Sequence, residues 1–343
     1  MTPQLRELDH LPEALLTAAP QRLAGLLGGP TLIHLSGRRQ PPLFVSVLAH
    51  GNEHTGFAAV QRLLRRYAGQ ARELPRALSL FIGNVDAAAA GVRRLDGQVD
   101  YNRVWPGTLT PSAPEAGIMA TVTERLQARG CFASVDIHNN TGINPHYACV
   151  NRLAPDFLAL ASLFSRTVVY FTRPQGVQSL AFARFCPAVT LECGQSGSAG
   201  AVDHAEDFLR SALALEHVPA HVVPGDLGVY HTVAVARVAR DCRFGLEPEG
   251  EDLSLLEDID RLNFRELPAG TELGRVHGHR RPVIVTDNDG ADVTPHYLEC
   301  RDGSLRTRRR VFPAMLTRDV RVIYQDCLCY FMERIRLEEQ ATG

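Results

Sequence analysis

The sequence predicts an α/β protein: a doubly wound, mixed but mainly parallel sheet, followed by a smaller β-rich C-terminal domain. Three observations lead there. Apolar, β-rich runs alternate with helical patterns over about the first 215 residues, the order that builds parallel crossover units. Several of those runs end in polar tips with glycines, as strands do at the working edge of an open sheet. Past His217 the texture changes to short strands cut by Gly, Pro and Asp turns. The expected division is residues 1–218 for the α/β domain and 219–343 for the second.

Taken in order, residues 1 to about 30 carry Leu5, Leu8, Leu11, Leu15, Leu16 and Leu23 at helical spacing, broken by Pro12 and Pro20, which reads as short amphipathic helices. Thr31 to Ser36 and Leu43 to Leu48 read as strands, with His34 a structural histidine in a β alternation. A helix over Phe57 to Tyr67, a buried strand over Ala77 to Gly83 and a long polar loop from Asn84 to Arg103 follow. Glu115 to Arg129 reads as a helix and Phe132 to His138 as a strand with a polar tip. Tyr147 to Val150, Thr167 to Phe171 and Ala188 to Glu192 are further strands, separated by helices near Pro155 to Phe164 and Gln178 to Phe185. A helix from about Ala201 to Leu215 closes the alternation. In the C-terminal part, Val229 to Val238, Gly274 to Val276, Pro282 to Thr286 and Val320 to Tyr324 read as strands, and Cys327-Leu-Cys329 as part of a core strand.

Composition excludes several classes of function. The chain of 343 residues is 45% hydrophobic with a net charge of −2, enough to bury a large core and no electrostatic case for nucleic acid. The basic run Arg306 to Arg310 reads as a solvated face. No apolar run approaches the roughly 20 residues that span a bilayer, so no membrane partner is expected and a cytoplasmic location is the default. The eight cysteines are scattered without a Cys-x-x-Cys pair. All 36 basic residues are arginine, which removes Schiff-base, P-loop and Ser-x-x-Lys chemistries together.

The chemistry gathers around Val45 to Gly56, where an apolar run ends in His50-Gly-Asn-Glu53-His54. His-x-x-Glu alone discriminates poorly, since His10 to Glu13 and His296 to Glu299 also match it. Only the middle copy sits at a strand end between glycines. A catalytic zinc takes three protein ligands and keeps a position for water. His138, at the tip of another apolar strand, is the best third ligand beside His50 and Glu53, and His54 is expected to line the pocket. Glu192 closes the buried run Pro187 to Gly194, where a carboxylate is costly unless it faces a site, and is the candidate general base. Asn102 and Arg103 could fork a substrate carboxylate.

The set His50-Gly-Asn-Glu53, Asp100-Tyr-Asn102-Arg103, Asp136-Ile-His138-Asn and Thr190-Leu-Glu192-Cys-Gly resembles the succinylglutamate desuccinylase/aspartoacylase family, within the zinc carboxypeptidase superfamily. The separation of Glu53 from His138, 138 − 53 = 85 positions, is in that family's range. The resemblance implies a zinc carboxypeptidase-like fold and one Zn²⁺ per chain on His50, Glu53 and His138. It also implies Glu192 as base and then acid, Arg94 polarising the scissile carbonyl, and Asn102 with Arg103 on a substrate carboxylate. Asp136 would neighbour the ligands, and the β-rich domain would narrow the pocket mouth. The chain departs in reading Asp100-Tyr rather than Asp-Leu, and its Arg94 to Arg103 spacing is one residue longer than in aspartoacylase, which keeps Arg93 in play. Arg184 is the nearest equivalent of the arginine that grips the acyl group there. The implied activity is hydrolysis of an N-acyl amino acid or related small carboxylated amide. The competing readings are a carboxypeptidase acting on short or cell-wall peptides and a metal-retaining binding protein without catalysis.

Overall fold

The computed structural model describes residues 4–69, 72–198, 200–220, 226–247 and 251–337. They fall into two compact units, one formed by residues up to 139 together with 146–228, the other by 140–145 together with 229–337.

The first unit is built on strands β1 (Arg6–Leu8), β2 (Thr31–Leu35), β3 (Leu43–Val47), β4 (Leu78–Ile82), β5 (Ala133–Asn140), β6 (Tyr147–Val150), β7 (Thr167–Tyr170) and β8 (Ala188–Gln195). Their order in the sheet is β1-β2-β4-β3-β5-β8-β6-β7. The pairs β1/β2, β3/β4, β3/β5 and β6/β7 are parallel, while β2/β4 and β6/β8 are antiparallel, so the sheet is mixed and mainly parallel. Every residue of β3, β4 and β5 is buried, as expected for central strands covered on both faces, which explains the nearly continuous apolar reading of β3 and β4.

The connecting helices are α1 (Leu23–Leu27), α2 (Thr55–Gly69), α3 (Val85–Ala90), α4 (Pro114–Arg129), α5 (Pro155–Ser162), α6 (Gln178–Phe182) and α7 (Ala201–Ala214). Helices α2 and α7 pack together, and the buried Glu206 of α7 takes ion pairs from Arg62 and Arg66 of α2. Beneath the sheet edge, Phe44 stacks on Phe182 at 4.6 Å, and Trp105 meets Phe44, Phe81 and Phe182 edge-on. This box anchors the segment that follows Arg103.

Two readings in this unit need correction. Arg6–Leu8, placed among helices by its leucine spacing, pairs with β2 as an edge strand. The polar loop from Asn84 to Arg103 contains α3: the Asn84 side chain accepts from the Ala87 N–H, an alanine run propagates the turn, and Gly91 ends it with φ 65°. His34 is satisfied as expected, bonded to Ser79 and Glu7.

In the second unit, β9 (Gly228–Val238), β10 (Phe244–Gly245), β11 (Leu253–Leu255), β12 (Glu272–Val276) and β13 (Val283–Asp287) precede α8 (Thr294–Tyr297). Strands β14 (Leu298–Arg301), β15 (Ser304–Thr307) and β16 (Phe312–Ala314), helix α9 (Val320–Gln325) and β17 (Cys329–Ile335) complete it. One sheet runs β10-β11-β12-β15-β14; β9 pairs with β13 and β17, and β17 with β16. Val320 to Tyr324, whose alternation reads as a strand, is α9 instead, because the Asp319 carboxylate caps the Val322 N–H and opens a helical turn. The arginines of the 306–310 run are committed locally, Arg306 to Glu272, Arg309 to Glu333 and Arg310 to Glu266. Among the described residues no helix is long and apolar enough to cross a membrane.

Candidate metal centre

The chain turns sharply after β3. Leu48 takes φ 57°, and Gly51 lies so close to α3 that a Cβ there would sit 2.1 Å from the Ala87 carbonyl carbon. This turn delivers His50 and Glu53 before α2 starts. His138 comes from β5, whose register with β3 aligns Ser46 with Asp136 and Val47 with Ile137.

The three side chains converge and are buried. His50 Nδ1 lies 2.8 Å from one Glu53 carboxylate oxygen and His138 Nδ1 lies 2.7 Å from the other. Their candidate ligand atoms all fall within 4.8 Å of one another, the one such group of His, Cys, Asp or Glu among the described residues. Neither of the other His-x-x-Glu copies acquires a third donor. His54 stands outside this group, its Nε2 bonded to the Gly51 carbonyl at 2.8 Å.

Both outer imidazole nitrogens are held as well. His50 Nε2 meets Asp100 Oδ1 at 3.1 Å, and His138 Nε2 meets Asp136 Oδ2 at 2.8 Å, with Ser46 donating to the other Asp136 oxygen at 3.0 Å. Carboxylates on the far nitrogens fix ring orientation and raise ligand basicity, as in metal-bound histidines. Two imidazoles and a carboxylate, buried, with their outer atoms already partnered, fit a catalytic divalent ion.

Burial pulls the two imidazoles down, and Arg93 adds to this at His50, but the carboxylates prevail. Glu53 and Asp100 leave His50 raised, and Asp136 with Glu53 leave His138 well above the ordinary histidine value. Conversely burial pushes Glu53 up, yet His50 and His138 hold it below the carboxylate range. Asp100 is likewise depressed against its burial by His50, Arg103 and Arg93.

The arginines sort themselves unexpectedly. Arg93 reaches Glu53 and Asp100, each at 3.3 Å. Arg94 instead donates to the Gln98 carbonyl at 2.6 Å, so the expected carbonyl-polarising residue is not the one brought to the histidines. The family resemblance named Arg94 and its spacing left Arg93 in play; the short turn after α3 puts Arg93 inward.

Asn102 and Arg103 occupy a 3₁₀ turn capped by Asp100, which accepts from the Asn102 N–H at 2.8 Å. The Asn102 amide lies 3.2 Å from His138 Nε2 and accepts from the Gln178 N–H at 3.3 Å. Arg103 donates to the Asn102 carbonyl at 2.8 Å. Arg184 is exposed and lies beside Gly107, its guanidinium 3.3 Å from where a Gly107 Cβ would be.

Glu192 is half-buried on β8, the neighbour of β5. The Ser134 N–H donates to the Pro187 carbonyl at 2.9 Å and the Asn139 side chain to the Gly194 carbonyl at 3.0 Å, which sets Glu192 alongside His138. Cys193 feels both carboxylates: after burial, Glu192 and Glu53 hold its thiol well up.

Residues 40–218, just over half of the chain, match the succinylglutamate desuccinylase/aspartoacylase catalytic domain. The chain belongs to this family. The family's members are amidohydrolases. Among solved structures, the succinylglutamate desuccinylase of Chromobacterium violaceum is 19% identical with a TM-score of 0.56, covering 88% of this chain and 86% of that one. The succinylglutamate desuccinylase of Vibrio parahaemolyticus reaches a TM-score of 0.59 at 17% identity, over 90% and 88% of the two chains. Murine aminoacylase 3 gives 0.56 at 17% identity, over 87% and 97%. At such identities these neighbours establish the desuccinylase/aspartoacylase fold. A search of curated proteins gives no match.

Two members of the arrangement have no working role in the sequence reading: Asp100 enters only as part of a motif, and Asn139 carries no assignment. Asn139 ties the site together: its N–H donates to Glu53 at 3.2 Å and its side chain exchanges bonds with Thr55. The polar Asn139-Asn pair after an apolar strand was the available signal.

Proposed function

We propose that this protein is a deacylase that hydrolyses the amide bond of an N-acyl amino acid or related small carboxylated amide, with one Zn²⁺ per chain. The observation that carries the reading is the convergence of His50, Glu53 and His138 with both outer nitrogens held by carboxylates. Those three residues would hold the ion, which when bound supplies Lewis acidity and an acidified water.

The chain's own residues then divide the work. Glu192 takes a proton from the attacking water and returns it to the leaving amine. An arginine beside Glu53 stabilises the developing oxyanion; on the geometry we assign this to Arg93 in place of Arg94. Asn102 and Arg103 hold a substrate carboxylate, and Arg184 is the candidate grip on an acidic acyl group. A cytoplasmic setting belongs to the same reading, supported by eight cysteines that are all free thiols.

Two measurements test it. Glu192→Gln protein with verified metal content should lose on the order of 10² or more in kcat on N-acyl amino acids; full turnover would end the assignment. Arg93→Ala should cost roughly 10² to 10³ in kcat/KM and Arg94→Ala much less. The reverse order would return the role to Arg94.

A further inference from the structure

Met315 follows β16 and holds its backbone at φ 69°, in the left-handed region that a long side chain occupies only under constraint. The constraints lie within the second unit. The Met315 N–H donates to Asn144 Oδ1 at 3.2 Å, and the next residue, Leu316, donates its N–H to Asn263 Oδ1 at 2.8 Å. The thioether is engaged as well: Asn140 Nδ2 donates to Met315 Sδ at 3.3 Å. Asn140 stands two residues past His138. Of the four methionines in the chain, Met119 and Met332 are buried, at 1% and 3% exposure, and Met1 lies outside the described residues. Met315 is half-buried, the one partly exposed methionine among the described residues.

We propose that Met315 is a selective oxidation site, a thioether that takes one oxygen from hydrogen peroxide and in doing so releases its contact with Asn140. A thioether sulfur has two lone pairs, and the Asn140 amide engages one of them, leaving the other for the oxidant. That lone pair attacks one peroxide oxygen and the O–O bond breaks. The proton on the transferred oxygen passes to the departing hydroxide, which leaves as water. The thioether is oxidised to a sulfoxide and the peroxide is reduced.

The product does not fit the bonds that hold the residue. Oxidation makes the sulfur electron-poor and so a worse acceptor for Asn140, while the new S=O group is polar and asks for a donor of its own. The oxygen cannot enter the 3.3 Å between Asn140 Nδ2 and Sδ, because an N–H···O bond alone takes about 2.9 Å. The Asn140 amide and the Met315 side chain must therefore move apart. A left-handed backbone at a long residue persists only while its surroundings over-determine it, and losing the side-chain anchor lets Met315 relax away from Asn144. The segment 140–145 then loses ties at both Asn140 and Asn144, which makes one oxygen atom sufficient to loosen the chain two residues beyond His138.

The experiment treats the full-length protein with dilute hydrogen peroxide, then with dithiothreitol to return reversibly oxidised cysteines, and maps it by mass spectrometry. Met315 should gain one oxygen roughly tenfold faster than Met119 or Met332. The oxidised protein should melt roughly 2–4 °C lower. A methionine sulfoxide reductase with a thiol reductant should restore the original melt, which separates the methionine from any cysteine damage. Met315→Leu, which keeps the bulk and lacks the sulfur, should keep its own melting temperature through the same peroxide treatment. On N-acyl amino acids the oxidised protein should lose a few-fold in kcat/KM, a readout that rests on the deacylase reading. Absence of turnover before treatment would count against that reading alone, since mass and melting decide the oxidation site without it. Oxidation of Met119 or Met332 as fast as Met315, a sulfoxide form that melts like the thioether, or an equal loss in Met315→Leu would overturn the proposal.

Discussion

His50 and His138 each present Nδ1 to the same carboxylate and Nε2 to a different one, and this symmetry has a consequence for metal binding. With their pKa values raised above 6.5, both imidazoles keep a proton to higher pH in the metal-free protein than a solvent-exposed histidine does. An ion must displace those protons, so its apparent affinity should climb with pH through the range above 6.5 and its binding should release protons. Calorimetric titration of Zn²⁺ in two buffers of different ionisation enthalpy counts them. Zero release at pH 7 would falsify the ligand assignment. The sign for stability is opposite: without metal, the raised imidazoles contribute most below 6.5, and that contribution is lost as pH rises through their folded values. At this scale the sequence is informative where a candidate site residue ends an apolar run, as His50, His138 and Glu192 do. It was uninformative about Arg93 against Arg94, because adjacent residues differ only in which way a turn faces them, and that is decided by the bond from the Gly51 N–H to the Arg93 carbonyl at 3.0 Å.

Among the elements, the strands were legible and some short helices were not, for a physical reason. Strands β3 and β4 are buried on both faces and read as nearly continuous apolar runs, while β5, equally buried, alternates apolar residues with Ser134, Asp136 and His138. Helices α3 and α9 instead depend on one capping side chain each, Asn84 and Asp319, and their interiors carry little periodicity. The 3₁₀ turn holding Asn102 and Arg103 depends on a distant partner. Gly176 has φ 75°, and a Cβ there would approach the Arg103 carbonyl oxygen to 2.2 Å, while its own carbonyl accepts from the Trp105 N–H at 3.0 Å. Gly176→Ala must therefore push the Asn102–Arg103 turn outward and strain its own backbone, at a cost of about 1–3 kcal/mol in stability. Because the affected residues are those proposed to hold the substrate carboxylate, KM should rise more than kcat falls. Thermal melts and steady-state kinetics on one carboxylated amide separate the two effects. An unchanged KM would detach this turn from substrate binding.

At the scale of the whole chain, the path after His138 matters most. Two residues beyond His138, at Asn140, the backbone enters the second compact unit, and it returns to the first at His146. Within the second unit the excursion is clamped by the buried Asn263. Its amide donates to the carbonyls of Ile143 (3.2 Å), Asp260 (3.0 Å) and Leu316 (2.7 Å), and its oxygen accepts from the Leu316 N–H at 2.8 Å. The Met315 N–H adds a bond to Asn144 at 3.2 Å, and Gly142 leaves room for the Leu316 carbonyl oxygen, which a Cβ would meet at 1.9 Å. Asn263→Ala removes every one of these side-chain bonds at once and strands backbone groups that water reaches poorly, so it should destabilise the second unit by roughly 2–3 kcal/mol. Calorimetry should show the loss as a lowered or split transition, since two compact units need not melt together. The segment is covalently joined to His138 through Asn139 alone. The same variant should therefore also release zinc faster to a chelator, by a few-fold, while Asn263→Asp, which keeps the acceptor to Leu316, falls between. If Asn263→Ala melts like the wild type, the clamp contributes nothing and the excursion is a passive loop. If it melts early yet holds zinc unchanged, the second unit stabilises itself without reaching the ligand.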